Sequence, residues 1–189
     1  MQTLIINGSP HKTGDTMTLV NELNKHLLGE KRIIHTYYDK ISPCLDCRYC
    51  WQNPSCAIND GMQEIYRLFN EVNNVIIASP LYFSNLTGEL LSFASRLQLF
   101  YVSRRIRKDP TFSLKRKNGA IILAGGGDRI TEPAITTANY ILGQLNTKSV
   151  ETILSLHTND YPAKEDVGAL GQARDIALRL NELSESQMS

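Results

Sequence analysis

The chain has 189 residues, a net charge of +1, 42% hydrophobic residues and 21% charged residues. That size and balance suit a single globular α/β domain spanning residues 1–189 and argue against a disordered chain. The near-neutral charge gives no footprint for nucleic acid, no run of about 18 apolar residues predicts a membrane span, and the N-terminus lacks the layout of a secretory signal, so a cytoplasmic location is expected.

Strand and helix patterns alternate from end to end. The predicted strands are Thr3–Asn7, Arg32–Tyr37, Asn74–Ser79, Gly119–Ala124 and Val150–Leu156. The predicted helices are Thr16–Leu28, Asp60–Val72, Asn85–Tyr101, Thr131–Leu145 and Ala163–Leu183. Short continuous apolar runs such as Val75–Ser79 (VIIAS) are expected of parallel strands buried on both faces. Asp60 reads as an N-cap, and Pro133 lies in the first turn of its helix, where proline is tolerated. The alternation predicts an α/β fold of doubly wound type: a five-stranded parallel sheet with helices on both faces. In such sheets ligands bind outside the carboxyl ends of the strands. Gly8–Thr16, Ser79–Thr87 and Gly125–Asp128 should gather at that edge, with the long irregular segment Ile41–Asn59 beside them. The basic stretch Arg104–Lys117 is read as a solvated loop before the fourth strand.

Three loops carry chemistry. Gly8-Ser9-Pro10-His11-Lys12-Thr13-Gly14-Asp15-Thr16 joins the first strand to the first helix. Backbone N–H groups and a helix N-terminus together make a cradle for phosphate. The loop lacks both the P-loop and the Gly-x-Gly-x-x-Gly spacing, which points to a terminal monoester phosphate rather than ATP or a dinucleotide. Ser79-Pro80-Leu81-Tyr82-Phe83-Ser84-Asn85 sets two aromatics where a planar ring would lie. Gly125-Gly126-Gly127 lets backbone approach a ligand closely. A phosphate cradle, an aromatic wall and a glycine gap at one edge describe a site for flavin mononucleotide (FMN).

These stretches carry a family resemblance. IINGSPHKTGDT, PCLDCRYCWQNPSCAINDGMQEIY, VIIASPLYFSNLTGEL and IILAGGGD resemble the flavodoxin-like NAD(P)H-dependent FMN reductases, in particular the branch related to iron–sulfur flavoproteins. The resemblance implies noncovalent FMN, NAD(P)H as co-substrate and a homodimer. It implies that Ser9, His11, Gly14, Asp15 and Thr16 line the phosphate. It also implies that Pro80, Leu81, Tyr82, Phe83 and Asn85 line the ring and ribityl chain, with Gly125, Gly126 and Gly127 against the ring's other edge. The chain departs from the family at Asp15, at Gly61 of Asp60-Gly61-Met62, and at Leu91 and Ser95-Arg96.

All four cysteines, Cys44, Cys47, Cys50 and Cys56, fall in one C-x2-C-x2-C-x5-C segment. Thiolates at such spacing wrap a tetrahedral metal or a cubane cluster. The pattern is similar to the cluster motif of iron–sulfur flavoproteins. Three readings stay open: a [4Fe–4S] cluster, thiols lining the flavin pocket without metal, and a structural zinc. The metal-free reading is placed ahead of the cluster, and zinc last. His26, His35 and His157 read as surface or satisfied residues.

The leading expectation is an oxidoreductase that moves hydride from NAD(P)H through FMN to a small acceptor: a quinone, a flavin, a nitro or azo compound, or a metal ion. No side chain is expected to be catalytic, because the flavin carries the chemistry. The alternatives are an iron–sulfur flavoprotein, or a flavodoxin-type carrier serving a protein partner; the neutral charge weighs against the carrier. A thiol-based sensor ranks below these, as no DNA-binding helix pair accompanies the cysteines.

Overall fold

The structure, a computed structural model, describes residues 1–127 and 130–186. The strands are β1 (Gln2–Asn7), β2 (Glu30–His35), β3 (Asn74–Pro80), β4 (Lys117–Gly125) and β5 (Thr147–Leu156). The helices are α1 (Asp15–His26), α2 (Met62–Glu71), α3 (Gly88–Ser95), α4 (Gln98–Arg105), α5 (Glu132–Gln144) and α6 (Val167–Ser186). The five strands form one sheet in the order β2-β1-β3-β4-β5, and every pair is parallel. This is the doubly wound sheet expected from the alternation, and the flavodoxin-like fold that the family resemblance implies. Asp128, the last residue of the expected third loop, lies outside the described residues. Among the described residues no helix is long and apolar enough to cross a membrane.

Side chains alternate across the sheet with period two, and each face gathers its own core. Leu4, Ile6, Val75, Ile77, Ile121 and Leu123 point to the side covered by α2, α3, α4 and α5. Ile5, Ile76, Ala78, Ala120 and Ile122 point to the side covered by α1 and α6. All of β4 is buried, and β3 is buried up to Pro80. Hence these strands read as continuous apolar runs.

The expected helix Asn85–Tyr101 is corrected to two helices, broken at Arg96 and Leu97. At the break Leu97 N–H donates to Ala94 O (3.0 Å) and Phe100 N–H to Leu97 O (2.9 Å), a tighter winding than the α-helix. Tertiary contacts fix it. The Tyr66 hydroxyl donates to the Arg96 carbonyl at 2.9 Å. The fully buried Arg96 guanidinium grips Asp60 with Nη1 (2.7 Å) and Nη2 (3.2 Å). Asp60 also accepts Met62 N–H at 3.1 Å, so it supports the α2 N-terminus as its sequence position suggested.

Other boundaries moved as well. The second strand ends at His35, because the Tyr38 and Asp39 N–H groups both fold back onto the His35 carbonyl (2.8 and 2.9 Å). The last helix starts at Val167 rather than Ala163, where Asp166 accepts the Ala169 N–H at 2.9 Å and caps it. The basic stretch is not simply a solvated loop. Arg104 and Arg105 close α4, Arg107 binds the cysteine segment, and Lys117 opens β4 fully buried.

Lys117 Nζ donates to the Lys115 carbonyl at 2.8 Å, and burial pushes its pKa down to about 8. The unfolded chain therefore binds more protons between pH 8 and the ordinary lysine value of 10.5, and stability rises with pH in that window. Lys117→Met should stabilise the protein at pH 7 by about 1–3 kcal/mol in urea unfolding, with the gain shrinking as pH climbs toward that ordinary value. At Asp60 burial raises the carboxyl, but Arg96 and the Ser42 and Met62 N–H groups outweigh it and hold it below the usual aspartate range. Its contribution is complete above that range and is lost as pH falls through the depressed value. Asp60→Asn leaves Arg96 buried without its carboxylate and should cost about 3–5 kcal/mol at pH 7, and the gap to wild type should narrow below about pH 4.

Candidate functional site

Because every strand runs the same way, the β1–α1, β3–α3 and β4–α5 connections leave from one edge of the sheet. The first begins over Asn7, which is fully buried. Its Oδ1 accepts the Ser9 N–H (3.0 Å), and its Nδ2 meets Met17 Sδ (3.2 Å) and His35 Nδ1 (3.0 Å). Ser9 is buried, and its hydroxyl accepts the His11 N–H at 3.2 Å. The Tyr38 hydroxyl donates to the Pro10 carbonyl, and Lys12 Nζ sits 4.7 Å from the Tyr38 ring centre. His11 is exposed, Gly14 is half-buried and Thr16 is buried. Gly14 is the N-cap of α1 and offers no side-chain cap, so the N–H groups of the first turn face the loop without one. Asp15 sits in that first turn, where a negative charge is favourable, and its Oδ1 accepts the Ala163 N–H at 2.8 Å. The acid that departed from the family pattern is therefore tied to the segment before α6.

Gly8 joins this loop to the next. The Thr87 hydroxyl donates to the Gly8 carbonyl at 2.8 Å, and a Cβ on Gly8 would come within 2.7 Å of Leu90 Cδ1. The second loop leaves β3 at Pro80 with Leu81 N–H on the Ala124 carbonyl (2.8 Å). Tyr82 and Asn85 then pair antiparallel, through Tyr82 N–H to Asn85 O (2.9 Å) and Asn85 N–H to Tyr82 O (3.0 Å). Between them Phe83 and Ser84 have φ of 50° and 60°, the double left-handed turn that tight hairpins use with Asn and Gly. Phe83 is fully exposed, and Tyr82 is exposed beside it. An unpartnered aromatic held in a strained turn marks a contact surface.

The third loop faces the second across a cleft lined by Leu81, Phe83, Ser84, Gly125, Gly126, Gly127 and Ile130. Gly126 leaves room there for the Asn159 side chain, which a Cβ would meet at 2.4 Å and push aside. The sequence reading missed Asn7, Tyr37, Tyr38, Thr87 and Asn159. Burial pushes the Tyr37 phenol up, with Tyr82 and Glu89 nearby adding to it, and the phenol shares a hydrogen bond with Thr87. A polar Asn7 ending an apolar strand was a readable signal; nothing local marked Asn159.

The four cysteines line one pocket with Arg96. Cys47 is exposed, the other three are half-buried, and all are free thiols. Burial, then Cys44, with Cys56 and Cys47 behind, pushes the Cys50 thiol up, so the four sulfurs act on one another. The segment holds only a single 3-10 turn, Tyr49–Trp51, and side chains from outside hold its backbone. Ser95 Oγ accepts the Cys44 N–H (2.9 Å), Arg107 donates to Cys50 O (3.1 Å), and Gln63 donates to Cys56 O (3.1 Å) and Ile58 O (2.7 Å). Among the described residues no three Cys, His, Asp or Glu side chains converge tightly enough for one metal ion. A cubane spreads its four thiolates over four separate irons and does not need that convergence.

The sequence model of the NADPH-dependent FMN reductase family matches residues 1–160. An iron–sulfur flavoprotein of Archaeoglobus fulgidus is 32% identical over 130 residues, which cover 67% of this chain and 56% of that relative, so the match spans little more than half the relative's length. An iron–sulfur flavoprotein of Methanosarcina thermophila is 26% identical over 187 residues, 95% of this chain and 93% of the relative. The fold is similar to that of an NAD(P)H:quinone oxidoreductase from Methanothermobacter marburgensis, with a TM-score of 0.75, 14% identity, and coverage of 95% of this chain and 96% of the other. The chain belongs to the NADPH-dependent FMN reductase family.

Proposed function

We propose that this chain holds FMN across the carboxyl edge of its sheet and passes reducing equivalents from NAD(P)H to a small acceptor. The acceptor class is a quinone, a free flavin, a nitro or azo compound, or a metal ion. What supports the reading is the convergence at one edge of an uncapped helix start, an aromatic hairpin and a glycine cleft. When bound, FMN supplies the hydride acceptance and electron delivery that no side chain here offers.

The first loop would take the phosphate. The N–H groups of Asp15 and Thr16, with the Ser9 and Thr16 hydroxyls, satisfy its oxygens, and Gly14 keeps the approach clear. His11 and Lys12 add hydrogen-bonding and charge at the rim. The second loop would take the ring and ribityl chain on Pro80, Leu81, Tyr82, Phe83 and Asn85. The N–H groups of Leu81, Tyr82 and Asn85 are engaged within the loop region, which leaves those of Phe83 and Ser84 to meet negative charge on the ring. Gly125, Gly126 and Gly127 would let the other edge sit against backbone. Tyr82 and Phe83 set the width of the slot for nicotinamide and acceptor and keep water from it. Phe83 is fully exposed in one copy, and a second copy of the chain is the natural cover for it, as a homodimer. A reducing cytoplasm fits four free cysteines.

One observation favours a second reading. Four cysteines line one pocket, and the backbone at Cys44, Cys50 and Cys56 is held from outside. In an iron–sulfur flavoprotein, Cys44, Cys47, Cys50 and Cys56 would hold a [4Fe–4S] cluster, which supplies one-electron transfer.

Bleaching of the bound flavin by NADPH, followed by turnover on a quinone, is the expected result; a protein that cannot be loaded with FMN would overturn the proposal. Ser9→Ala should weaken FMN binding by about tenfold, or about 1.4 kcal/mol, measured by quenching of flavin fluorescence. Ser84→Gly relieves a left-handed residue and should raise the unfolding free energy of the flavin-free protein by about 0.5–1 kcal/mol in a urea titration.

A further inference from the structure

Among the described residues Arg96 is the largest fully buried side chain, and it stands in the wall of the four-cysteine pocket. Its five N–H donors can be followed one by one. Nη1 serves Ser42 O (2.9 Å) and Asp60 Oδ2 (2.7 Å), and Nη2 serves Ile58 O (3.3 Å) and Asp60 Oδ1 (3.2 Å). Through these bonds one side chain ties both ends of the cysteine segment to the α3–α4 break. The Nε–H is buried and has no partner among the described residues. A buried donor without a partner carries a desolvation cost, and native structures seldom leave one so without a reason. Arg96 and Cys56 line the same pocket, and there the Tyr66 phenol acts on the guanidinium first and the Cys56 thiol after it.

We propose that Arg96 is the positioning residue of the four-cysteine pocket: it holds the segment closed around the thiols and directs its remaining N–H, Nε, to an anionic sulfur within. The occupant that makes such a sulfur is a metal–sulfur centre carried by Cys44, Cys47, Cys50 and Cys56. Four thiolates around iron and sulfide leave net negative charge, which a buried N–H donor stabilises. Neutral thiols would leave Nε with only a weak acceptor. Lysine cannot replace this arginine, because one ammonium cannot reach Asp60 and the sulfur from two separate nitrogens. The inference rests on the iron–sulfur reading given above; it concerns a different pocket from the flavin cleft and does not rest on the FMN assignment.

The test is anaerobic reconstitution of the FMN-loaded protein with ferrous iron and sulfide, in wild type, Arg96→Lys and Gln63→Ala. Iron per chain, FMN per chain and the midpoint potential of the new centre are read in each. Wild type should take up about four irons per chain. In Arg96→Lys the reduced form at a fixed applied potential should fall about tenfold, a shift of about 59 mV for one electron, because hydrogen bonds to the sulfurs set such potentials. Gln63→Ala, which loosens the same segment without touching the sulfur, should lower iron content and leave the potential unchanged. If Arg96→Lys does not fold, the paired Asp60→Asn/Arg96→Gln variant removes both charges together and should show the same shift. An unchanged potential in the arginine variants overturns the proposal. So does a wild type that takes up no iron, and one FMN per chain in that sample would leave the flavin reading standing.

Discussion

Parallel strands constrain everything else in this molecule. A parallel pair cannot be closed by a hairpin, so each strand must be followed by a crossover that covers one face of the sheet. With both faces covered, the sheet has to be apolar throughout, and the two cores built on alternate residues of β1, β3 and β4 are the result. The same constraint sends the connections after the strands to one edge. Polar and glycine-rich residues that would be unwelcome in the layers collect there. The candidate flavin site is thus a consequence of strand direction before it is a consequence of any single side chain.

Around that frame, two buried polar centres decide the local geometry. Asn7 sits under the first loop and fixes its path through Ser9, Met17 and His35. Arg96 and Asp60 do the same for the cysteine segment, and at greater energetic stake. Two charges removed from water repay their desolvation only when the geometry is good and the remaining donors and acceptors are matched. Asp60 meets this through Ser42, Met62 and both nitrogens of Arg96. Arg96 meets it at every donor but one. The pair supports the start of α2, fixes the break between α3 and α4 and holds a segment of nearly structureless chain in place.

The two functional regions differ in how they are held. The candidate flavin cleft is bordered by strained and exposed elements, the left-handed Phe83 and Ser84 and the open aromatic faces, which fits a surface completed by a ligand or a second chain. The cysteine pocket is the reverse. Its backbone is fastened by the side chains of Ser95, Gln63, Arg96 and Arg107. Preorganisation of that kind lowers the ordering cost of whatever the pocket takes.

Much of this was legible in the residues. Alternating apolar runs and helical periods specify a parallel α/β sheet, because burial on two faces leaves no other pattern for the strands. Loops rich in glycine, hydroxyls and aromatics, placed after strands, specify a ligand edge. The spacing of four cysteines specifies that their sulfurs share one neighbourhood. Other features were not readable, because they depend on partners distant in sequence. The helix from Asn85 to Tyr101 has unbroken local propensity, and it breaks only because Tyr66 and Asp60 capture Arg96. Lys117 ends a run of basic residues that looks solvated, and it is buried because β4 must start there to pair with β5. Asp15 faces Ala163, 148 positions away. Local period and composition are enough to specify the layers, the direction of the strands and the residues available at their carboxyl edge. Which charges pair, which donors remain free and where helices end depend instead on contacts that exist only once the layers have packed.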